Sequence, residues 1–463
     1  MVRIFNAYIP TRTLLLATLD MLLIVAVLLA IRALGFPATA TPGLVYSHAT
    51  FKILVACGVC MLCMYYFDLY EPQVLANLWQ VTARLSQVLG TVCLVLAAVY
   101  YAFPSIELSR ELLFLGTGVI GLALIGGRKL FYTLNGLAPL AQRAILLGNG
   151  PLSSCLAQEL DRCPELGMRL VGYVGDPSAA PNAGNGLSWL DGLEQVWEVI
   201  KRERVTRVIV TMEERRGRLP LDLLLHMKSQ GICVEDGADV YEQVTGKVPL
   251  TSLRLGCFVF SPSFKLTRLT ELYKRAFSIL LSALGLLLVL PLMGLIALAI
   301  RLDSPGPALF RQKRIGMGGR AFVLFKFRSM RINADADGVP RPVQENDDRV
   351  TRVGRWLRRT RLDELPQLYN ILRGEMSFVG PRPFVPEQER VLAEQIPFYR
   401  YRWAVKPGAT GWAQVHRAYC ATIEDNVEKL AYDLFYIKNM SVGLDFVVLF
   451  QTLKILLLGR GAR

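Results

Sequence analysis

Arg359-Thr-Arg-Leu-Asp-Glu-Leu-Pro-Gln-Leu-Tyr-Asn370, followed by Ser377-Phe-Val-Gly-Pro-Arg-Pro383, is the stretch around which this chain is organised. Asp363 and Glu364 stand side by side among Arg358, Arg359, Arg361, Arg373 and Arg382. Cations at that density lower carboxylate pKa values, so both acids are expected to be ionised. An ionised carboxylate can act as a nucleophile toward phosphorus or as a ligand for a hard cation such as Mg2+. The surrounding guanidiniums suit a substrate that carries phosphate. Adjacent acids are also common on solvated helices, where they pair with nearby arginines. The stretch as a whole, rather than Asp-Glu alone, points away from that reading.

Composition sets the context. Of 463 residues, 52% are hydrophobic and 19% charged, which leans toward a membrane protein with soluble parts. The net charge is +14, and residues 301–463 hold 27 Lys and Arg against 17 Asp and Glu. Nucleic acid, anionic headgroups and phosphorylated small molecules all attract such a surface. The membrane segments, and aromatics of buried type near the arginines, argue against nucleic acid. The nine cysteines show no disulfide-module spacing, and the three histidines no metal-ligand spacing, which excludes a disulfide scaffold and a zinc enzyme. Cys57, Cys60 and Cys63 recur every three residues, as small residues do when they pack between helices.

Working outward, four apolar segments open the chain at roughly 13–33, 52–68, 85–103 and 112–127, giving a transmembrane region over 1–130. Asp20 in the first is expected to face the bundle or an interface. Arg3, Arg12, Arg128, Lys129 and Arg143, against a 36–50 loop with no Lys or Arg, put both ends of this region in the cytoplasm. Residues 140–250 alternate strand and helix: Arg143–Leu147 runs into the turn Gly148-Asn-Gly150, and a helix is expected over 151–162. That alternation predicts a parallel sheet with crossover helices. The turn is only a partial dinucleotide fingerprint, with Ser153 at the third glycine position. Residues 177–190 and 332–348 read as loops, and Phe310–Gly316 with Phe322–Arg328 as a short hairpin.

Ala276–Ile300 holds 25 uncharged residues, enough to span a bilayer, but Pro291 interrupts it. Proline removes a backbone hydrogen bond and clashes with the preceding turn. A span would also carry Asp363 and Glu364 out of the cytoplasm. The expectation is a re-entrant helix that enters, breaks at Pro291 and returns. Arg349, Arg352, Arg355 and Arg358, three apart, predict a basic amphipathic helix suited to headgroups. Residues 442–458 read as an apolar interfacial helix.

Residues 270–460 resemble the bacterial polyprenyl-phosphate hexose-1-phosphate transferases, the monotopic phosphoglycosyl transferases that start exopolysaccharide and O-antigen assembly. The resemblance rests on Lys274-Arg275, Phe310-Arg-Gln, Lys326-Phe-Arg-Ser-Met330, Leu362-Asp-Glu-Leu-Pro-Gln367, Val379-Gly-Pro-Arg-Pro383 and Lys406-Pro-Gly-Ala-Thr-Gly-Trp412. The first 260 residues resemble the long form of that family in architecture. The implied fold is an α-helical transmembrane bundle, an α/β Rossmann-like cytoplasmic domain over 140–250, and a mostly helical monotopic catalytic domain over 265–463, with 276–300 re-entrant. The implied reaction is ping-pong: Asp363 attacks a UDP-sugar, UMP leaves, and undecaprenyl phosphate takes the sugar phosphate. Glu364 would help hold Mg2+, and Lys326, Arg358 and Arg382 would hold phosphate oxygens. One departure is Leu290, where the family often has Ser before the hairpin proline. The resemblance places the enzyme in the bacterial inner membrane with its catalytic part cytoplasmic and glucose or galactose as the sugar. A homodimer is expected, since the extra N-terminal residues are not needed for the chemistry. The competing reading is a membrane-anchored nucleotide-sensing protein in which 140–250 does the work.

Overall fold

The computed structural model describes residues 2–4, 6–33, 49–70, 78–104, 110–135, 142–148, 150–163, 166–175, 188–212, 215, 219–252, 268–332, 347–417 and 422–457. Most of the expected loops at 177–190 and 332–348, Asn149 of the glycine turn, and Cys420 lie outside the described residues. The chain divides into two compact units, one of Met1–Val2 and Tyr8–Gly237, the other of Arg3–Ala7 and Ala238–Arg463.

In the first unit, each expected apolar segment is a helix: Thr11–Ala33, Ala49–Tyr66, Leu78–Ala102 and Arg110–Asn135. Among the described residues of the chain, Thr11–Ile31, Val81–Ala102 and Arg268–Asp303 are long and apolar enough to cross a bilayer, and Phe51–Tyr66 is shorter. Cys57, Cys60 and Cys63 are buried with Ile24, Met64, Leu85 and Leu124 in the bundle core. Asp20 faces inward, where Arg128 Nη2 reaches its carboxylate at 2.6 Å. The same guanidinium donates through Nη1 to the Leu69 carbonyl at 2.9 Å.

The rest of this unit is a five-stranded parallel sheet in the order Ser188–Asp191, Met168–Gly175, Gln142–Leu147, Arg207–Val210, Cys233–Asp236. Ala144 to Leu147 are buried in the central strand, as expected where helices cover both faces. Pro151–Arg162 follows the turn, with Pro151 in its first turn where a missing N–H costs nothing. The Ser153 hydroxyl is buried, 2.9 Å from the Gly148 carbonyl and 2.7 Å from Thr211 Oγ1, and so closes the strand ends rather than facing a ligand. The parallel-sheet region ends at Gly237, earlier than the expected 250. Residues 238–252 fold with the second unit. There Lys438 meets Glu242 at 2.8 Å, Lys247 meets Glu428 at 2.5 Å, and Trp412 Nε1 donates to the Gly246 carbonyl at 2.9 Å.

The second unit is built on the helix Arg268–Asp303, which is 36 residues long. Pro291 lies inside it, and the backbone stays helical through the residue expected to break it. Leucine-rich turns flank it on both sides, and a proline inside a continuous helix is where the axis kinks. Leu280, Leu284, Leu287, Leu288, Leu295 and Leu298 are all exposed, the pattern of a helix solvated by lipid. Both of its ends are pinned. Near the start, Arg275 donates at 2.8 Å to the carbonyls of Ile371 and Leu372, capping Gln367–Arg373. Near the end, Ile296 and Ile300 pack with Phe327 and Leu357, and partly buried Leu362 and Leu365 join them. Past the end, Arg328 donates to the carbonyls of Ser304 and Pro305.

Candidate active site

Three short elements converge on the acid pair. The first is the hairpin Leu309–Ile315 with Ala321–Phe327, in which Lys326 lies opposite Phe310. The second is the helix Arg352–Thr360, whose N-cap Thr351 accepts from Gly354 N at 2.9 Å. Asp303 Oδ2 also accepts from Val353 N at 3.0 Å, welding this helix to the end of the long one. Gly354 allows the close fit, because a Cβ there would fall 2.0 Å from the Ser329 carbonyl oxygen. Arg349 lies outside this helix and binds Asp347 with its guanidinium, so the expected run of four helical arginines begins only at Arg352. The third element is the parallel pair Ser377–Val379 with Gly408–Thr410, where Gly408 is needed for backbone approach to Gly380.

At Arg361 the chain turns through the left-handed region, φ 57° and ψ 17°, a conformation that costs a non-glycine residue roughly 1–2 kcal/mol. A 3-10 turn, Leu362–Glu364, then presents both acids. Glu364 Oε1 accepts from Lys326 Nζ at 3.0 Å and Arg382 Nη2 at 3.1 Å. Among the described residues, Oε2 carries no hydrogen bond and Asp363 forms no ion pair. Arg358 Nε is held by Ser329 Oγ at 2.9 Å and lies close enough to act on Asp363 through space.

The two acids are not alike, which corrects the expectation that both are lowered. Burial pushes Asp363 above the usual aspartate range, and the Glu364 charge adds to this against the pull of Lys326 and Arg358. Burial works in the same direction on Glu364, but Arg382 and Lys326 outweigh it and hold that carboxyl at about 2. Burial also lowers Lys326 despite its bond to Glu364. Environment thus separates two adjacent carboxyls, as in sites where each has its own task.

Lys326, Arg382 and Glu364 are in direct contact, Arg358 is beside Asp363, and Pro291 is outside this cluster in the long helix. Sequence reasoning did not single out Arg314, Asn370 or Arg402. Asn370 is fully buried and bonds one edge of the strand that carries Lys326: its Nδ2 donates to Val323 O at 2.7 Å and its Oδ1 accepts from Phe325 N at 3.1 Å. Burial, then Arg382, lowers Arg314 to about 10. Arg402 stands in Tyr399-Arg-Tyr-Arg-Trp403, where nothing in the sequence sets it apart from Arg400. No group of three or more His, Cys, Asp or Glu gathers among the described residues. Mg2+ fits none the less, because it is commonly held by one or two carboxylates plus substrate phosphates, and the uncommitted Glu364 Oε2 supplies such a ligand.

Comparison with known sequences matches residues 269–459 to the bacterial sugar transferase family and residues 65–228 to a CoA-binding domain family. A UDP-glucose:undecaprenyl-phosphate glucose-1-phosphate transferase of Caulobacter vibrioides is 45% identical over 189 residues, 40% of this chain and 70% of that protein. The chain belongs to the bacterial sugar transferase family. Other members include a UDP-N-acetylgalactosamine-undecaprenyl-phosphate N-acetylgalactosaminephosphotransferase of Aeromonas hydrophila, 42% identical over 231 residues, 48% of this chain. A UDP-glucose:undecaprenyl-phosphate glucose-1-phosphate transferase of Escherichia coli is 37% identical over 300 residues, 62% of this chain. The chain spans 52% of the Aeromonas relative and 62% of the Escherichia one. The sugar transferase match contains every candidate site residue described above, Lys326, Arg358, Asp363, Glu364 and Arg382, along with Pro291.

Proposed function

We propose that this protein transfers a sugar 1-phosphate from a UDP-sugar to undecaprenyl phosphate at the cytoplasmic face of the bacterial inner membrane. The observation that carries the reading is the division of labour between the acids: Glu364 takes two cations on Oε1 and Asp363 takes none. An unpaired, partly buried carboxylate is the better nucleophile, since its charge is not already neutralised. A carboxylate oxygen of Asp363 attacks the sugar-bearing phosphorus of the donor. The bond from that phosphorus to the bridging oxygen breaks, and UMP leaves with the bonding pair. The undecaprenyl phosphate oxygen then attacks the same phosphorus and frees Asp363. When bound, Mg2+ supplies charge neutralisation on the diphosphate, and Glu364 would hold it. Lys326, Arg358 and Arg382 bind and orient phosphate oxygens, which is most of what phosphoryl transfer requires.

A lipid acceptor requires the site to lie at the membrane, and the long helix supports a re-entrant placement. Arg275 near its start and Ile296 and Ile300 near its end all meet the segment 362–372. That segment is about 20 Å long at 1.5–2.0 Å per residue, shorter than the roughly 30 Å hydrocarbon core. That short separation supports the reading in which both ends lie on one face and the helix dips without crossing. The long N-terminal region is assigned to self-association, with a homodimer as the simplest closed form; mass measurement in nanodiscs giving only monomer would remove that assignment. The test of the activity is UMP release by the purified protein with undecaprenyl phosphate and a panel of UDP-glucose, UDP-galactose and UDP-N-acetylgalactosamine. Release with at least one donor is expected, and silence with all three would leave the nucleotide-sensing reading in its place.

A further inference from the structure

The loop Val379–Phe384 carries Arg382 between two prolines, neither of which has an N–H to donate. Its carbonyls are instead held by donors from elsewhere in the same unit. Tyr436 Oη donates to Val379 at 3.1 Å, Gly408 N to Pro381 at 3.0 Å, Arg314 Nη1 to Pro383 at 3.1 Å and Ile315 N to Phe384 at 3.1 Å. The Arg382 carbonyl itself accepts from Arg402 Nη2 at 2.8 Å.

Arg402 is 4% exposed. Its Nε meets Asp433 Oδ2 at 2.8 Å, its Nη1 meets Glu389 Oε1 at 3.3 Å, and the Tyr399 hydroxyl lies 2.5 Å away. Asp433, Glu389 and Tyr399 are each 2% exposed. Glu389 is fixed in turn by Trp403 Nε1 at 3.0 Å, and the Arg402 guanidinium lies over the Phe384 ring. A dry ionic cluster of this kind is a poor way to gain stability, since well-packed apolar side chains of the same volume do as well or better. What it does supply is a rigid fork with one arm on the backbone of the residue that reaches Glu364.

We propose that Arg402 is a positioning residue for the transfer reaction: it fixes the backbone of Arg382 and so holds the Arg382 guanidinium in place on Glu364 and on the incoming phosphate. This rests on the transferase reading above. The experiment is a double-substitution cycle in the full-length protein, with UMP release measured for wild type, Arg402→Lys, Arg382→Gln and the pair. Thermal unfolding in detergent establishes that each is folded. Lysine keeps the charge beside Asp433 and Glu389 but cannot also hold the Arg382 carbonyl. Arg402→Lys is expected to lower kcat about 100-fold, the usual effect of a misplaced reacting group. In the Arg382→Gln background the same change should cost less than about threefold, because coupled sites are not additive.

A loss that multiplies fully onto Arg382→Gln, or a folded Arg402→Lys with wild-type kcat, overturns the proposal. If Arg402→Lys does not fold, Tyr399→Phe takes its place, removing one partner of the guanidinium. The same non-additivity is then expected on an initial loss of about tenfold. Wild-type protein that releases no UMP would sink the transferase reading and this role together, whereas an active wild type with additive losses would sink the role alone.

Discussion

Asp20 and Asp363 are both acids drawn out of water beside arginine, yet their surroundings differ in kind. Asp20 is matched one to one: Arg128 covers its carboxylate and then donates to a backbone carbonyl. Around Asp363 and Glu364 the count is unequal, with Lys326, Arg358, Arg382 and Arg314 near two acids, and Glu364 takes two of those cations while Asp363 takes none. The balanced pair has no charge left for a ligand. The surplus of cations has charge left for an anion, which makes it the place where a diphosphate would bind. Balance, rather than burial, separates Asp20 from the acid pair proposed to carry the chemistry.

The sharpest way to break this contrast is Asp363→Asn, which keeps shape and removes the proposed nucleophile. UMP release is expected to fall by at least about 10³-fold, and a phosphosugar adduct on the protein should vanish from intact-mass spectra. Substantial turnover in this variant would remove the covalent step from Asp363. Glu364→Gln is expected to cost roughly 10²–10³-fold, since it removes one proposed metal ligand and loosens both Lys326 and Arg382. Its loss should be relieved in part by raising Mg2+, a response that Asp363→Asn should not show.

Arg358→Gln probes the contrast more finely. Asp363 acts ionised, so activity should fall as pH drops through its raised pKa. Arg358 is one of the groups holding that pKa down, alongside Lys326, against burial and Glu364. Its removal should move the acid limb of the pH–rate profile upward and lower the plateau about tenfold. An unmoved limb would place Arg358 outside the field of Asp363. At the other end, Asp20→Asn should leave turnover per folded molecule within about twofold. It should nevertheless destabilise the bundle by about 3–5 kcal/mol, the cost of a buried cation left without its acid. Yield of folded protein from membranes measures the second effect, and a shifted pH–rate profile in this variant would contradict the division drawn here.

Much of this was legible in the sequence, for reasons that can be named. Hydropathy length gave the four N-terminal helices, and strand–turn–Pro gave the helix Pro151–Arg162 to the residue. The strand Ser188–Asp191 was hidden because Ser-Trp-Leu-Asp has neither a β-branched run nor alternation, and only pairing with Met168–Gly175 makes it a strand. The acid pair could be read from its motif, but the separation of Asp363 from Glu364 could not. That separation depends on which acid Lys326 reaches across 38 residues and Arg382 across 18. Arg402 and Asn370 were missed because their partners lie on other elements. Pro291 was expected to break the helix, but helical backbone continues through it, with strong helix formers on either side.

Residues 238–252 bear on how the protein could be taken apart. They read as the tail of the parallel-sheet region but complete the other unit, supplying carboxylates to Lys438, a cation to Glu428 and a carbonyl to the Trp412 indole. The seam between modules is therefore at Gly237, some thirty residues before the membrane helix, and not in the linker that precedes it. A chimera joined at 237/238 carries those partners with the sugar transferase part, whereas one joined at 265 leaves Lys438 without Glu242, Glu428 without Lys247 and the Trp412 indole without its carbonyl. Swapping N-terminal regions between relatives should succeed or fail on that choice of splice.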